Sequence, residues 1–258
     1  MLPFPNISPI AFSLGPIDVR WYGIMYPLTF TIGYFLVQKF LREKKWEVSK
    51  NFVPDLVLTM LLGVVLGGRI GYILFYDLPI YIAHPANIVK VWQGGMSMHG
   101  GILGVVIALS IFAKVKKISL YKVADLVIPI VPLGVALVRL GNFINAELYG
   151  RVTNSKFCMV FPTDPAHCRY PSQLIQFALE GVVVFVIIYA LRNKIKTPGI
   201  LSWLFLILYS IFRFIAEFFR EPDAQIGYLW NGATLGQILS IIVIAISLGG
   251  IWIIKRKK

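Results

Sequence analysis

Apolar residues run in long blocks, and short polar stretches separate them. The blocks cover approximately 20–40, 54–76, 98–114, 123–143, 173–191, 199–219 and 235–254. A helix needs about 20 predominantly apolar residues to cross the hydrocarbon of a bilayer. The pattern therefore predicts an all-α integral membrane protein with about seven transmembrane helices. The third block is short, and the fourth carries a cluster of polar groups. No Ser/Gly-rich linker and no internal repeat divides the chain. The expectation is one polytopic membrane domain over residues 1–258, with outer loop segments at about 77–97 and 144–172.

The fourth block is the one that does not behave as a plain membrane helix. Residues 134–153, GVALVRLGNFINAELYGRVT, begin as one and then collect Arg139, Asn142, Asn145, Glu147 and Arg151. Ionisable groups at membrane depth cost a few kcal/mol each even on the lenient insertion scale, about 2.5–3.5, so they are rare and usually functional. Arg139 and Asn142, three apart, share a helical face, and an arginine beside an amide suits a phosphate or carboxylate. Gly141 and Gly150 allow a turn or a close approach. The plainer alternative is an arginine paired with a nearby acid as structural glue.

Composition agrees with the pattern, since 57% of the residues are hydrophobic and 14% are charged. A net charge of +13 would suit a nucleic-acid binder, but the placement of the charge argues against that. Lys39, Arg42, Lys44, Lys45 and Lys50 follow the first block, and Lys114, Lys116, Lys117 and Lys122 the third. Arg192, Lys194 and Lys196 follow the fifth, and Lys255, Arg256, Lys257 and Lys258 end the chain. Sixteen of the 25 basic residues thus fall on alternate loops, which is the positive-inside pattern. It predicts an N-terminus outside and a C-terminus in the cytoplasm, and anionic headgroups suffice as partners for the basic loops. The first residues, MLPFPNISPIAFSLGPID, lack a basic n-region and are expected to form a short outer-surface element rather than a cleavable signal.

With that orientation, polar groups from six blocks fall at one depth, the outer leaflet. They are Tyr22; Arg69, Tyr72 and Tyr76; His99; the Arg139 cluster; Tyr209, Arg213, Glu217 and Arg220; and Gln237. In the sixth block the spacing of four, four and three makes Tyr209, Arg213, Glu217 and Arg220 one stripe. Glu217 can pair with Arg213 or Arg220, and one arginine stays in surplus. Excess positive charge in a cavity of low dielectric calls for an anion, and in an outer leaflet the abundant anion is a phospholipid headgroup. His99, in the glycine-rich run GGMSMHGG, is either a hydrogen-bonded structural group or a proton-transfer group with an ordinary pKa of about 6.5.

Other polar residues carry weaker expectations. Cys158 and Cys168 lie in one outer loop, where a disulfide and two free thiols are both open. Glu180, inside the fifth block, is expected to be paired with a tyrosine or an amide, its role open. Asp125 opens the fourth block as a structural cap. The glycine-rich second and third blocks leave room for a lateral gap. His84 and His167 sit in outer loops without such company. There is no HExxH, no CxxC and no cluster of carboxylates, so no metal site is expected.

Seven segments together resemble one family. RLGNFINAELYGRVT is similar to the signature of the prolipoprotein diacylglyceryl transferases of bacteria. RWYGIMY, GGRIGYILFY, VWQGGMSMHGG, YPSQL, FRFIAEFFREPDAQ and GQILS resemble that family too, in order along the whole chain. One departure is Ile175–Gln176, where the family usually carries Tyr–Glu after the PSQL run, so no role is carried over to that loop. The resemblance implies transfer of the diacylglyceryl group of phosphatidylglycerol to the lipobox cysteine thiol of preprolipoprotein signal peptides, with no cofactor. It also implies a multi-pass protein of the bacterial inner membrane with its active site toward the outer leaflet.

On that resemblance the substrate thiol must become a thiolate, with His99 the candidate base and Tyr22 its possible partner. Arg139 and Arg213 would hold the phosphate, Asn142 and Gly150 would shape the headgroup site, and Glu217 would orient the arginines. Tyr209, Arg220, Arg69, Tyr72 and Tyr76 complete the expected phosphatidylglycerol-binding set. An arginine route, or direct transfer to the lipid phosphate, stays open for the thiol proton. A transporter of anionic lipid should show inverted repeats or an inner-facing polar set, and neither is present in the sequence. A noncatalytic scaffold would need no such polar set.

Overall fold

The computed structural model describes residues 1–5, 7–15, 17–222, 227–229 and 232–256. Residues 223–225, which close the FRFIAEFFREPDAQ run, and the terminal Lys257 and Lys258 lie outside the described residues. In chain order the elements are strands β1 (Ile10–Leu14) and β2 (Ile17–Arg20), then helices α1 (Trp21–Glu43), α2 (Phe52–Phe75), α3 (Leu78–Ala83), α4 (Met98–Val115), α5 (Leu120–Val127) and α6 (Val131–Ile144). Strands β3 (Met159–Phe161) and β4 (Asp164–Arg169) follow, then α7 (Ser172–Gln176), α8 (Val184–Leu191), α9 (Ile200–Ala216) and α10 (Leu235–Arg256).

Helices fall on all seven apolar blocks. Five helical stretches are long and apolar enough to cross a membrane: Phe52–Phe75, Met98–Val115, Leu120–Ile144, Ser172–Leu191 and Leu235–Arg256. The sixth block gives an apolar helix of 17 residues, α9. The first gives α1, whose 23 residues include Tyr22, Tyr26, Thr29, Thr31, Tyr34 and Gln38, and it is not among the five. Two of the long stretches are composite. A short 3₁₀ turn with Pro129 joins α5 to α6, and a π-helical segment, Phe177–Val183, joins α7 to α8.

The chain forms two compact units, one made of Met1–Gly33 with Asp125–Lys258, the other of Tyr34–Ala124. In the contiguous unit, α2 and α4 pack as an antiparallel pair through small residues. Gly63 faces Gly104 and Ala108, Gly67 faces Gly100 and Gly104, and Gly71 faces Gly100 and Ser97. A Cβ on Gly67 would lie 2.6 Å from the Gly104 Cα, closer than side-chain carbons come. Small residues four apart on each helix let backbones touch in lipid, where dispersion rather than the hydrophobic effect drives association. These glycines therefore close the contact between the second and third blocks.

In the other unit the first half of α1 runs antiparallel to α6. Gly33 meets Ile130, Thr29 meets Gly134 and Tyr22 meets Gly141. Gly181 of the π-helical segment sits against Ala136 of α6, and Gly250 of α10 against Trp203 of α9. Asp125 does not cap its own helix, which begins at Leu120. Its carboxylate instead accepts hydrogen bonds from Gly199 N and Ser202 N at 2.7 and 2.9 Å and from the Ser202 hydroxyl at 2.5 Å. These are groups at the N-terminus of α9, where amides lack helical acceptors and an anion is favoured.

Beyond α6 the chain forms a small hairpin, β3–β4, crossed by a disulfide between Cys158 and Cys168. Phe161 of the hairpin is fully buried with Phe143 and Ala146, and Phe4 of the N-terminal segment packs on the same cluster. The N-terminal segment itself forms the antiparallel hairpin β1–β2 that leads into α1.

Candidate active site

The polar stripe of the sixth block forms as its spacing predicts, on the last turns of α9 and just beyond. Glu217 is 1% exposed and pairs with Arg213 and with Arg220. Its second oxygen accepts from the Thr234 hydroxyl at 2.8 Å. Gly236 lies directly over the carboxylate, and a Cβ there would meet Glu217 Oε1 at 2.6 Å. The site thus needs a residue without a side chain at the start of α10.

Glu180 is the member that sequence reasoning left unassigned. It is fully buried in the π-helical segment and stands between two arginines, 3.4 Å from Arg213 Nη1 and 3.8 Å from Arg139 Nη2. Gln176 donates to it at 3.1 Å, and Tyr209 lies near it. Both the amide and the tyrosine expected as partners are present, but the arginines dominate. A carboxylate in the middle of an apolar block was the available signal. Its partners, far away in sequence, were not readable from it. π-Helical turns within α-helices are frequent at functional sites.

Arg139 joins this network loosely. Among the described residues its nearest acceptors are Asn142 Oδ1 at 3.4 Å and Glu180 at 3.8 Å, and its Nε is buried without a hydrogen-bond partner. Glu180 Oε2 and Gln176 Oε1 are likewise buried and unpartnered. Such groups normally find partners. Among the described residues the guanidiniums of Arg139, Arg213 and Arg220 gather around the carboxylates of Glu180 and Glu217. Asn142 is 3% exposed and links Arg139 to Glu147, donating to the carboxylate at 2.8 Å.

The segment after α6 is held by backbone contacts. Ala146 and Leu148 take positive φ, at 52° and 56°. Gly150 donates to Tyr170 O at 2.8 Å and is wedged so tightly that a Cβ would meet that oxygen at 2.7 Å. Its part is thus close passage of backbone between the Tyr170 and Phe219 carbonyls. Arg151 donates to the carbonyls of Arg220 and Glu217 at 2.9 and 3.1 Å, tying this loop to the end of the stripe. Tyr22 hydrogen-bonds Tyr26 at 2.8 Å and packs on Gly141, one turn from Asn145.

The remaining expected residues lie in the contiguous unit. His99 is exposed at the start of α4, where Ser97 caps the helix by accepting from Gly100 N. Arg69, expected to bind phosphatidylglycerol, is 4% exposed and fully engaged elsewhere. Its Nε donates to Ile88 O, Nη1 to Gly94 O and Gly95 O, and Nη2 to Asn87 O and Lys90 O. With all five N–H groups donating to one loop, it is a clasp with nothing left for a phosphate. Tyr72 and Tyr76 stack on each other. Tyr72 and Asp77 share a hydrogen bond, beside a hollow of about 150 Å³ that Arg69 also lines.

Several helices fit to cross a membrane, and buried charge gathered on three of the elements, define a multi-pass membrane protein with a built polar site. A family described as prolipoprotein diacylglyceryl transferase matches residues 9–253, and the chain belongs to that family. Among similar proteins, each called phosphatidylglycerol–prolipoprotein diacylglyceryl transferase, one from Ectopseudomonas mendocina (strain ymp) is 47% identical over 98% of this chain and 95% of its own length. One from Geobacter sulfurreducens is 44% identical over 100% of this chain and 99% of its own. One from Legionella pneumophila (strain Lens) is 47% identical over 98% of both.

Proposed function

We propose that this protein transfers the diacylglyceryl group of phosphatidylglycerol to the thiol of the lipobox cysteine in preprolipoprotein signal peptides, the first step of bacterial lipoprotein maturation. The observation that carries the reading is the state of Arg139. It is a mostly buried guanidinium with no acceptor closer than 3.4 Å among the described residues. A phosphodiester supplies the acceptors that the Arg139 guanidinium lacks.

In the reaction the substrate thiol gives up its proton, and the thiolate attacks the glycerol carbon that carries the phosphate ester. A C–S bond forms, the C–O bond breaks with its electron pair on the phosphate oxygen, and glycerol 1-phosphate leaves. Arg139 and Arg213 hold the phosphate, and the part of that contact which strengthens as charge grows on the oxygen raises the rate. Glu180 and Glu217 position the two arginines, with Tyr209 and Arg220 bracing the carboxylates. Asn142 and Gly150 shape the headgroup site. His99 takes the thiol proton, with Tyr22 as partner. Tyr72 and Tyr76 belong to the lipid-contacting surface, whereas the Arg69 geometry supports a loop-holding role.

The wider reading is one polytopic domain with seven crossings, N-terminus outside, C-terminus cytoplasmic and active site toward the outer leaflet of the bacterial inner membrane. The basic residues on alternate loops support it. The test uses the purified protein in detergent with phosphatidylglycerol and a synthetic lipobox peptide, following glycerol phosphate and peptide mass. Native protein yields thioether and Arg139→Ala yields none. No product from folded native protein would overturn the reading. Full activity in His99→Gln would remove the histidine from the proton step.

A further inference from the structure

Beside the arginine network lies an open cleft of about 690 Å³ lined by Asp18, Val19 and Arg20 of β2, Tyr22 and Gly23 of α1, and Asn145 and Glu147 after α6. Its chemistry differs from that of the network. Two carboxylates face one guanidinium, so the excess charge is negative, which is unfavourable for a phosphate.

The cleft is also rich in acceptors that lack donors. The carbonyl of Gly23 has no helical donor, because the residue four positions on is Pro27, which carries no N–H. β2 belongs to a two-stranded sheet with β1, so among the described residues its second edge pairs with no strand. An unpaired strand edge is a template for an extended chain.

We propose that this cleft binds the extended polypeptide segment adjoining the reactive cysteine of the substrate, along the free edge of β2. The inference rests on the transferase reading above and adds a peptide subsite to it. A volume of about 690 Å³ falls within the roughly 300–1,000 Å³ typical of ligand pockets and far exceeds what a glycerol headgroup fills. The backbone N–H groups of a peptide supply donors to Gly23 O and the strand edge. The two carboxylates favour basic side chains in that segment. Glu147 connects the cleft to the network, because its carboxylate accepts from both Asn145 and Asn142, and Asn142 in turn meets Arg139. The peptide therefore lies beside the group that would hold the lipid phosphate.

The test compares lipobox peptides carrying Lys or Glu in the residues next to the cysteine, using the full-length protein with phosphatidylglycerol. Native protein should give a KM for the Lys peptide about tenfold below that for the Glu peptide. Asp18→Lys should abolish or invert that preference and leave kcat unchanged. A preference that Asp18→Lys does not alter overturns the proposal. A change in the KM for phosphatidylglycerol with none in that for peptide also overturns it and assigns the cleft to lipid. Absence of thioether from every peptide defeats the transferase reading itself, whereas ordinary turnover without charge preference defeats only the subsite. A photo-crosslinking residue at Val19 gives a second, activity-independent readout. Labelling of the peptide that excess unlabelled peptide suppresses supports the subsite, and no labelling overturns it.

Discussion

Arg69 and Arg139 are two arginines in helices of similar apolarity, and their side chains are used in opposite ways. Arg69 has all five donors on carbonyls of one loop, two of them within 2.6 Å. Arg139 has no acceptor closer than 3.4 Å and keeps a buried N–H unpartnered. The same contrast separates their surroundings. Around Arg69, glycines bring α2 and α4 into backbone contact and polar groups close on themselves. Around Arg139, the nearest carboxylate, Glu180, stands 3.8 Å away and is shared with Arg213. A buried charge marks function by what it leaves unsatisfied, and burial alone does not separate the two cases.

The largest effect expected from breaking this contrast is at Glu180. Glu180→Gln keeps the shape but removes the negative charge shared by Arg139 and Arg213. Removing one partner of a buried ion pair costs roughly 3–5 kcal/mol, and thermal unfolding in detergent should show a loss of that order. Thioether formation should fall by at least tenfold in the fraction that remains folded. Unchanged stability and turnover would mean that the arginines do not need this carboxylate.

A smaller loss is expected in the glycine-paired helices. Gly104→Ala places a methyl group against the Gly63 carbonyl and the Gly67 Cα, and overpacking costs typically about 1–3 kcal/mol. Gly249, which has open space around its Cβ position, is the control. Gly249→Ala should gain up to about 1 kcal/mol by propensity. Equal responses at the two sites in thermal unfolding would show that close packing does not hold α2 to α4.

The smallest effect concerns the outer hairpin. The His167 imidazole and then the Arg169 guanidinium beside Asp164 hold its carboxyl below the ordinary value of 3.8. A depressed folded pKa means that the stabilisation is present above the unfolded value and is lost as pH falls through the folded one. Amide exchange in β3–β4 should therefore accelerate as pH drops below 3.8 more than intrinsic exchange rates require. Asp164→Asn should remove that extra pH dependence. An identical profile in the variant would take Asp164 out of the account.

Much of this was legible in the chain. Long apolar blocks impose helices, and spacing of four, four and three placed Tyr209, Arg213, Glu217 and Arg220 on one stripe. Position 180 was visible as a carboxylate in an apolar block. Its assignment was not, because pairing with Arg139 and Arg213 depends on the packing of separate helices and on a π-helical turn that no apolar period marks. Position 125 predicts a structural cap, but local sequence cannot reveal that the helix it serves is α9, which begins beside it. The same holds for the glycines of α2 and α4. A missing side chain can mean empty space or a neighbour's backbone, and only the partner helix decides. The cysteines allowed a bridge or two thiols, and the fold of the hairpin brought them together.

The division into units also has a consequence for synthesis. Residues 34–124 form a unit without interruption, so all of its parts exist once the ribosome has passed residue 124. The other unit joins the first 33 residues to those from 125 onward. Domains tend to fold as their sequence becomes available. The opening half of α1, with Tyr22 and Gly23, must therefore wait for α6 to be made, and Glu217 waits longer still for Gly236. The network around Glu217 is thus completed only once α10 has begun to be made.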